Sequence, residues 1–393
     1  MRYARRAVFS GGHMEKLRVG LLYGGRSVEH DVSIVSARSI LGALDRDRYE
    51  VSLLGVDSEG VWHLARPETD LEHALIGPCV FLPPSSGTTE LQLDATSTAD
   101  LAGLDEIARL DVIFPIIHGR GGEDGALQGL LELADVPYVG SGVLSSALQM
   151  DKDFAKRLLS SAGLPVTPWL TFTASELEDT GLPSAAERVA TELGLPVFVK
   201  PANSGSTIGI SRAESDAEVV AALADAVRYD RKVIVEIAVD ARELEVAVLG
   251  NENPEASIPG EIRAAQAFYD YDSKYRDDAT ELIIPAELDN DEANAIRETA
   301  IAAYRALDAE GMARVDFLID RETRAFYINE LNSLPGFTDV SMYPKLWEAT
   351  GLPYPRLLDR LIEFALARHA ERSKLECNTP PPLAPRSSSP SKG

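Results

Sequence analysis

Short apolar runs bounded by turn residues recur along this chain and alternate with helix-like stretches, and that alternation limits its folds more than any other feature. Val19-Gly20-Leu21-Leu22 is followed by an amphipathic stretch over 32–44, and Val112-Ile113-Phe114 by another over 125–134. A chain that switches between a two-residue and a 3.6-residue period builds layered α/β units, not a helical bundle or an all-β sandwich. The first such unit is expected over 14–149. Within it, 85–100 reads as a Ser/Thr-rich insertion, a loop or a weak hairpin.

A helix starting at Lys152 is broken by Gly163-Leu164-Pro165, which places a new domain near Met150. Beyond it come a strand over 197–200, a small-residue loop over 203–209, a helix over 217–227 with Val219, Leu223 and Val227 on one face, and a strand over 233–239. That is an α+β module, assigned to 150–240. From Glu243 the two-residue period returns at Leu244, Val246 and Val248. Strands over 313–320 and 325–332 flank a turn at 321–324, and helices are expected over 291–307 and 356–369, giving a third unit over 241–372. The ends differ. Residues 1–13 look foreign to the rest of the chain, so Met14 is the expected natural start, and 373–393 is expected to be a disordered tail because its Pro/Ser-rich composition buries too little apolar surface.

Composition narrows the function. Lys and Arg number 38 against 62 Asp and Glu, a net charge of −24 that argues against nucleic-acid binding. Cys79 and Cys377 are too few for a disulfide framework or a structural zinc site, which fits a reducing cytoplasmic setting. Arg2, Arg5 and Arg6 precede only Ala7-Val8-Phe9, too short an apolar run for a signal peptide or a membrane span. The expectation is a soluble protein with no membrane partner.

Several residues could carry chemistry. The loop Asn203-Ser204-Gly205-Ser206-Thr207-Ile208-Gly209 lets backbone N–H groups approach phosphate oxygens with Lys200 just before it, although a plain hairpin turn reads equally well from this stretch alone. The chain has nine lysines and none between Lys16 and Lys152, so Lys152, Lys200 and Lys274 stand out against the alternative of solvated surface charges. Lys274 lies in an aromatic-rich run, 268–275, with the composition of a lid. On the late strands, alternation puts Arg314 and Asp316 on one face and Glu330 and Asn332 on the other strand's matching face. If the strands pair as a hairpin with 321–325 as its loop, Asp316, Glu330 and Asn332 converge. Oxygen ligands without histidine or cysteine select a hard ion such as Mg²⁺, and Arg314 beside them can neutralise charge on a transferring phosphoryl group. The alternative is a solvated sheet face with an Arg–Asp pair. Two further loops, 23–30 with Glu29 and 118–125 with His118, follow strands of the first unit, where open α/β sheets bind ligands. Glu29 could hold a substrate amine, and Ser27 could instead cap a helix.

Taken together, these strings resemble the D-alanine–D-alanine ligase family of the ATP-grasp superfamily, in unbroken order over 16–364. They comprise Gly24 to Ser33, His118 to Gly125, Met150-Asp151-Lys152, Lys200-Pro201 with Gly205-Ser206, Tyr269 to Tyr275, Arg314-Val315-Asp316, and Asn329-Glu330-Leu331-Asn332 through Pro335-Gly336-Phe337-Thr338. The resemblance implies a three-domain ATP-grasp architecture, α/β and α+β, with an N-terminal open parallel-sheet domain. It implies ATP held by Lys152, Lys200, Ser206 and Lys274 on the phosphates, with Glu236, Glu243 and the backbone of Ile237 and Val239 around adenine and ribose. Two Mg²⁺ ions would be held by Asp316, Glu330 and Asn332, with Mn²⁺ able to substitute and a monovalent cation admitted. The family's activity joins two D-alanines through an acyl phosphate for peptidoglycan precursor synthesis. By the same resemblance Glu29, Ser206 and Tyr275 form a hydrogen-bonded set, Glu29 holds the first amine, His118 lies near the first carboxylate, and Ser341 with Met342 receives the second carboxylate. Arg314 and the N–H of Gly336 stabilise the oxyanion. Ile237 stands where some relatives have lysine, so adenine recognition there uses backbone groups. Tyr275 favours dipeptide formation over a D-lactate or D-serine acceptor; a catalytically silent ATP sensor and an envelope scaffold are the readings from other classes. A homodimer is expected.

Overall fold

The computed structural model describes residues 16–83, 90–93, 109–205, 208–263 and 281–375, and three sheets follow one another along it. The first contains β1 (Leu17–Gly24), β2 (Tyr49–Val56), β3 (Trp62–Ala65), β4 (Cys79–Phe81), β5 (Gln92–Leu93) and β6 (Val112–Pro115) in the order β5-β4-β3-β2-β1-β6. Helix α1 (His30–Ala43) connects β1 to β2, and α2 (Leu71–Ala74) lies between β3 and β4. Central β1 pairs in parallel with β2 and β6. Its Val19, Leu21 and Leu22 are wholly buried, as expected of a strand covered on both faces.

The sheet expected to be open and parallel is parallel only across β2-β1-β6, and β3, β4 and β5 continue it antiparallel. The reason is local. Asp57 Oδ1 accepts from the N–H groups of Glu59 and Val61, and Gly60 has φ +86°, so the chain reverses within 57–61. A parallel return needs a crossover of about a dozen residues or more.

After α3 (Ala126–Leu133) and α4 (Val143–Met150), the second sheet is built from β7 (Trp169–Thr173), β8 (Val197–Pro201), β9 (Ser211–Ala213) and β10 (Lys232–Ile237), ordered β7-β10-β8-β9 and antiparallel throughout. Its helices are α5 (Lys152–Ser161), α6 (Ala174–Thr180), α7 (Leu182–Glu192) and α8 (Asp216–Ala226). Strand β7 and helices α6 and α7 add to the sequence reading. Val197, Val199, Val233 and Val235 bury one sheet face against α7 and α8. The other face carries Lys200 and Glu236.

The third sheet contains β11 (Ala241–Gly250), β12 (Glu255–Ala256), β13 (Gly260–Arg263), β14 (Glu281–Ile283), β15 (Gly311–Asp320) and β16 (Phe326–Asn332) in the order β14-β13-β11-β15-β16, with β12 on β11. Helix α9 (Asn290–Ala306) covers the face made by Leu244, Val246, Val315 and Phe317. The opposite face changes character along β11. Ala247 and Leu249 share a core with the first sheet and with α10 (Met342–Ala349) and α11 (Tyr354–Arg372), whereas Glu243 and Glu245 continue the same face toward the site. Asp359 of α11 accepts from Tyr49 Oη at 2.7 Å and from Arg48 and Arg356, joining the first sheet to that helix.

The expected extension 1–13 and nearly all of the expected tail lie outside the described residues; α11 continues to Arg372 and a turn reaches Leu375. Among the described residues no helix is long and apolar enough to cross a membrane.

Candidate active site

The site begins where β1 and β6 end. Ser33, on the first turn of α1, accepts from Gly24 N–H at 2.8 Å and donates to the Ile116 carbonyl at 2.5 Å, so one hydroxyl ties both strand ends together. Glu29 is the residue that caps α1, but its carboxylate does not turn back on the helix. It lies buried between two loops: a Cβ on Gly119 would stand 2.6 Å from Glu29 Oε2, and one on Gly205 would stand 3.2 Å away. Ser27 shapes the preceding turn instead of capping, its Oγ accepting from Glu29 N–H at 3.2 Å. His118 is buried, with Nδ1 3.0 Å from the Leu334 carbonyl and Nε2 3.3 Å from Ser36 Oγ. Burial lowers its pKa against the pull of Glu29, so the ring is neutral with its proton on Nδ1, the nitrogen that faces a carbonyl.

The second sheet contributes lysines. Lys152, at the start of α5, donates from Nζ to the Ser204 carbonyl at 2.8 Å and lies 3.3 Å from Glu330 Oε2. It therefore bridges the small-residue loop and the acidic hairpin. Asp151 caps α5 by accepting from Phe154 N–H and is paired with Lys232 at 2.6 Å, which holds Lys152 in place. Asn203 anchors the loop by donating from its backbone and side chain to Asp230 Oδ2. Behind it, Glu236 sits between Lys200 at 2.7 Å and Lys156 at 3.0 Å. Burial raises the Glu236 pKa, but Lys156 and Lys200 outweigh it and bring it down to about 2. The N–H groups of Ile237 and Ala238 donate to the Pro168 and Pro196 carbonyls, and Val239 beyond them is half-buried.

The acidic hairpin forms with the expected pairing at the site, but its turn is one residue shorter than the expected 321–325 loop: Ile319 pairs with Phe326 and Asp320 N–H donates to the Ala325 carbonyl, and a bulge restores the register. Asp316 lies opposite Glu330 and Arg314 opposite Asn332, with a bulge after Asp316. Arg314 reaches along its own strand to grip both oxygens of Asp316, each at 2.7 Å, and Asn332 Nδ2 donates to Asp316 Oδ2 at 3.0 Å. Glu245, opposite Asp316 on β11, lies 3.1 Å from Arg314 Nε. Burial would lower the arginine's pKa; Asp316 and Glu245 more than offset it, and the charge is locked. No group of three or more His, Cys, Asp or Glu side chains able to hold a metal occurs among the described residues. Two carboxylates and an amide remain, an all-oxygen set that suits a hard divalent cation whose other ligands come from phosphate and water.

Past the hairpin, a Cβ on Gly336 would stand 2.7 Å from Ser341 Oγ, which accepts from Thr338 N–H at 2.9 Å. Met342 opens α10 with its side chain buried in the shared core against Gly260, so only its backbone is placed to meet a ligand. Ser206, Lys274 and Tyr275 lie outside the described residues.

Family models for the N-terminal and C-terminal parts of D-Ala-D-Ala ligases match residues 18–141 and 158–363. The chain belongs to the D-alanine–D-alanine ligase family. The D-alanine–D-alanine ligase of Shouchella clausii is 48% identical over 369 residues, covering 92% of this chain and 97% of its own. A solved D-alanine–D-alanine ligase from Coxiella burnetii superposes with a TM-score of 0.80 at 36% identity, covering 92% of this chain and 97% of that one. The VanG D-Ala:D-Ser ligase of Enterococcus faecalis gives a TM-score of 0.78 at 31% identity, covering 89% of this chain and all of its own.

In this ligase the fold brings Glu29, His118, Lys152, Arg314, Asp316, Glu330 and Asn332 to one region, with Lys200 and Glu236 behind the loop. Exposed Glu243, on β11 of the third sheet, acts on the charge of Lys200 in the second. Three residues escaped the sequence reading. Glu245 had a signal, since it alternates with Glu243 on β11. Lys156 lies one helical turn beyond Lys152, but only the fold shows it buried against Glu236. Glu123 sits unannounced among the glycines of 118–125, and its carboxylate accepts from Gly119 N–H at 2.6 Å and Leu334 N–H at 3.1 Å.

Proposed function

We propose that this ligase joins two D-alanine molecules into D-alanyl-D-alanine, with ATP cleaved to ADP and phosphate, for the synthesis of peptidoglycan precursors. The observation that carries the reading is Lys152, whose Nζ touches both the phosphate-loop carbonyl of Ser204 and Glu330. A cation at that junction faces the phosphates of a nucleotide held between the second and third sheets. Lys152 and Lys200, with Ser206 and Lys274, bind those phosphates; Glu236, Glu243 and the backbone of Ile237 and Val239 receive adenosine.

Glu29 holds the first D-alanine's ammonium, and His118 lies by its carboxylate. A carboxylate oxygen attacks the γ-phosphorus, the bond to the β-phosphate oxygen breaks, and ADP leaves. The amine of the second D-alanine, its carboxylate at Ser341 and the Met342 N–H, then attacks the acyl carbon, loses a proton and expels phosphate. Arg314 and the Gly336 N–H stabilise the tetrahedral oxyanion between these events. Asp316, Glu330 and Asn332 would hold Mg²⁺, and the ion would supply charge neutralisation at the phosphoryl group. The rest of the work is positioning and exclusion of water, which protects the acyl phosphate. The set Glu29, Ser206 and Tyr275 closes the first-substrate side. Domain limits of 14–149, 150–240 and 241–372, a homodimer and a cytoplasmic location complete the proposal.

The test is phosphate release from ATP and Mg²⁺ with and without D-alanine, with mass detection of product, L-alanine as control, and D-serine and D-lactate as competing acceptors. D-alanine-dependent release that yields the dipeptide is expected. Nucleotide binding without D-alanine-dependent turnover would leave the fold and discard the substrate.

A further inference from the structure

The segment 334–337 belongs to the third unit of the chain, yet three side chains of the first sheet's loops and helix hold its backbone. Glu123 Oε1 accepts from the Leu334 N–H at 3.1 Å, His118 Nδ1 donates to the Leu334 carbonyl at 3.0 Å, and Ser36 Oγ accepts from the Phe337 N–H at 3.3 Å. Glu123 turns its second oxygen, at 2.6 Å, to the N–H of Gly119, the glycine against which the Glu29 carboxylate rests. His118 and Ser36 also face each other at 3.3 Å. Gly336 lies between the two gripped peptides. Resting on the proposed function, in which Glu29 holds the first substrate and Gly336 N–H meets the oxyanion, we infer that Glu123 is a positioning residue that sets the distance between these two groups.

The physical basis is that one carboxylate fixes two N–H groups from segments more than two hundred residues apart in sequence. One carboxyl group, its two oxygens at a fixed separation, ties both N–H groups at once, and a loop of glycines has little stiffness of its own. With the Leu334 side chain buried in the core, Glu123 and His118 hold the two polar groups of its peptides, and without Glu123 the Leu334 N–H loses its acceptor and the segment leading to Gly336 is less firmly set. Misplacing an oxyanion donor by about 1 Å lowers the rate of the chemical step by roughly 10²-fold without weakening nucleotide binding. Glu123 touches no reacting atom in this scheme.

The experiment compares wild type with Glu123→Gln, Glu123→Asp and Ser36→Ala in the full-length enzyme, reading steady-state kinetics, thermal midpoint and amide hydrogen exchange at Leu334. Glutamine keeps one acceptor and points an N–H₂ at the other N–H; aspartate keeps the carboxyl group but not the reach. For both Glu123 variants kcat is expected to fall about 10- to 100-fold while KM for ATP stays within about two-fold, and Leu334 exchange to accelerate. Ser36→Ala is expected to give the same split at smaller size, with less than additive loss in the double variant. Unchanged kcat and Leu334 exchange, full rescue by aspartate, or equal losses in kcat and ATP binding with a lowered thermal midpoint would each overturn the proposal. Should the wild type lack D-alanine-dependent turnover, the proposed function falls on its own. Leu334 exchange then decides the clamp, which stands if the variants speed it and fails if they do not.

Discussion

At the scale of single residues, the Glu29 carboxylate finds room because two neighbours have no side chain. Gly119 has φ +74° and a Cβ there would meet Glu29 Oε2 at 2.6 Å, so alanine would be strained and would displace the carboxylate. Gly119→Ala should lower kcat/KM for D-alanine by about 10²-fold while leaving nucleotide affinity unchanged, which steady-state kinetics and equilibrium nucleotide titration would check. Glu123 yields a pH prediction. Burial and then Glu29 push its pKa up to about 8 from an ordinary 4.5, despite two N–H donors. The folded state thus holds this proton more tightly than the unfolded chain, and the contribution is complete below pH 4.5 and lost as pH rises from there through about 8. In urea titrations without Mg²⁺ or nucleotide, wild type should lose stability relative to Glu123→Gln across that interval; parallel curves would refute it. Glu29 and His118 were legible in the sequence as polar residues in loops after strands. The proton on Glu123 was not, because it depends on which distant segments close over the carboxylate.

Elements convert alternation into a site. On β15 the two-residue period sends Val315 and Phe317 into the core, and on β16 the extra residue Asn329, at the register shift between Asp316 and Phe317, lets both Ile328 and Leu331 join them. Glu330 thereby remains opposite Asp316 on the polar face, where Lys152 reaches it. Glu330→Gln should raise the Mg²⁺ concentration needed for half-maximal phosphoryl transfer by on the order of ten-fold or more, and a Mg²⁺ titration of nucleotide binding should move in the same direction. An unchanged titration would remove Glu330 from the metal set. The pairing of Asp316 with Glu330 was readable in advance because β15 alternates over 313–320; the bulge was not, since it breaks the alternation on β16. The 57–61 reversal, which makes half of the first sheet antiparallel, was not, since its turn chemistry resides in one aspartate and one glycine.

At the scale of the molecule, the cores divide the chain unequally. One apolar cluster runs from β1, β2 and α1 through β11 to α10 and α11, while the second sheet keeps a cluster of its own. Of the chain's three tryptophans, Trp347 on α10 lies in the shared cluster, Trp62 on β3 packs on the opposite face of the first sheet, and Trp169 is on β7 of the second sheet. In three single-tryptophan variants, Trp62 and Trp347 should share one denaturation midpoint and Trp169 should follow its own; three coincident transitions would contradict the partition. Local order is what the amino-acid sequence determined by itself: the strand and helix periods, the loops placed after strands, and the polar alternation at Arg314, Asp316, Glu330 and Asn332, all set by contacts within a few residues. Tertiary structure alone decided that Lys156 is buried against Glu236, that Arg314 is shared between Asp316 and Glu245, and that Glu123 fastens the 118–125 loop to Leu334. Charge state and burial depend on which remote surfaces meet, and that is a property of packing that no local pattern of residues encodes.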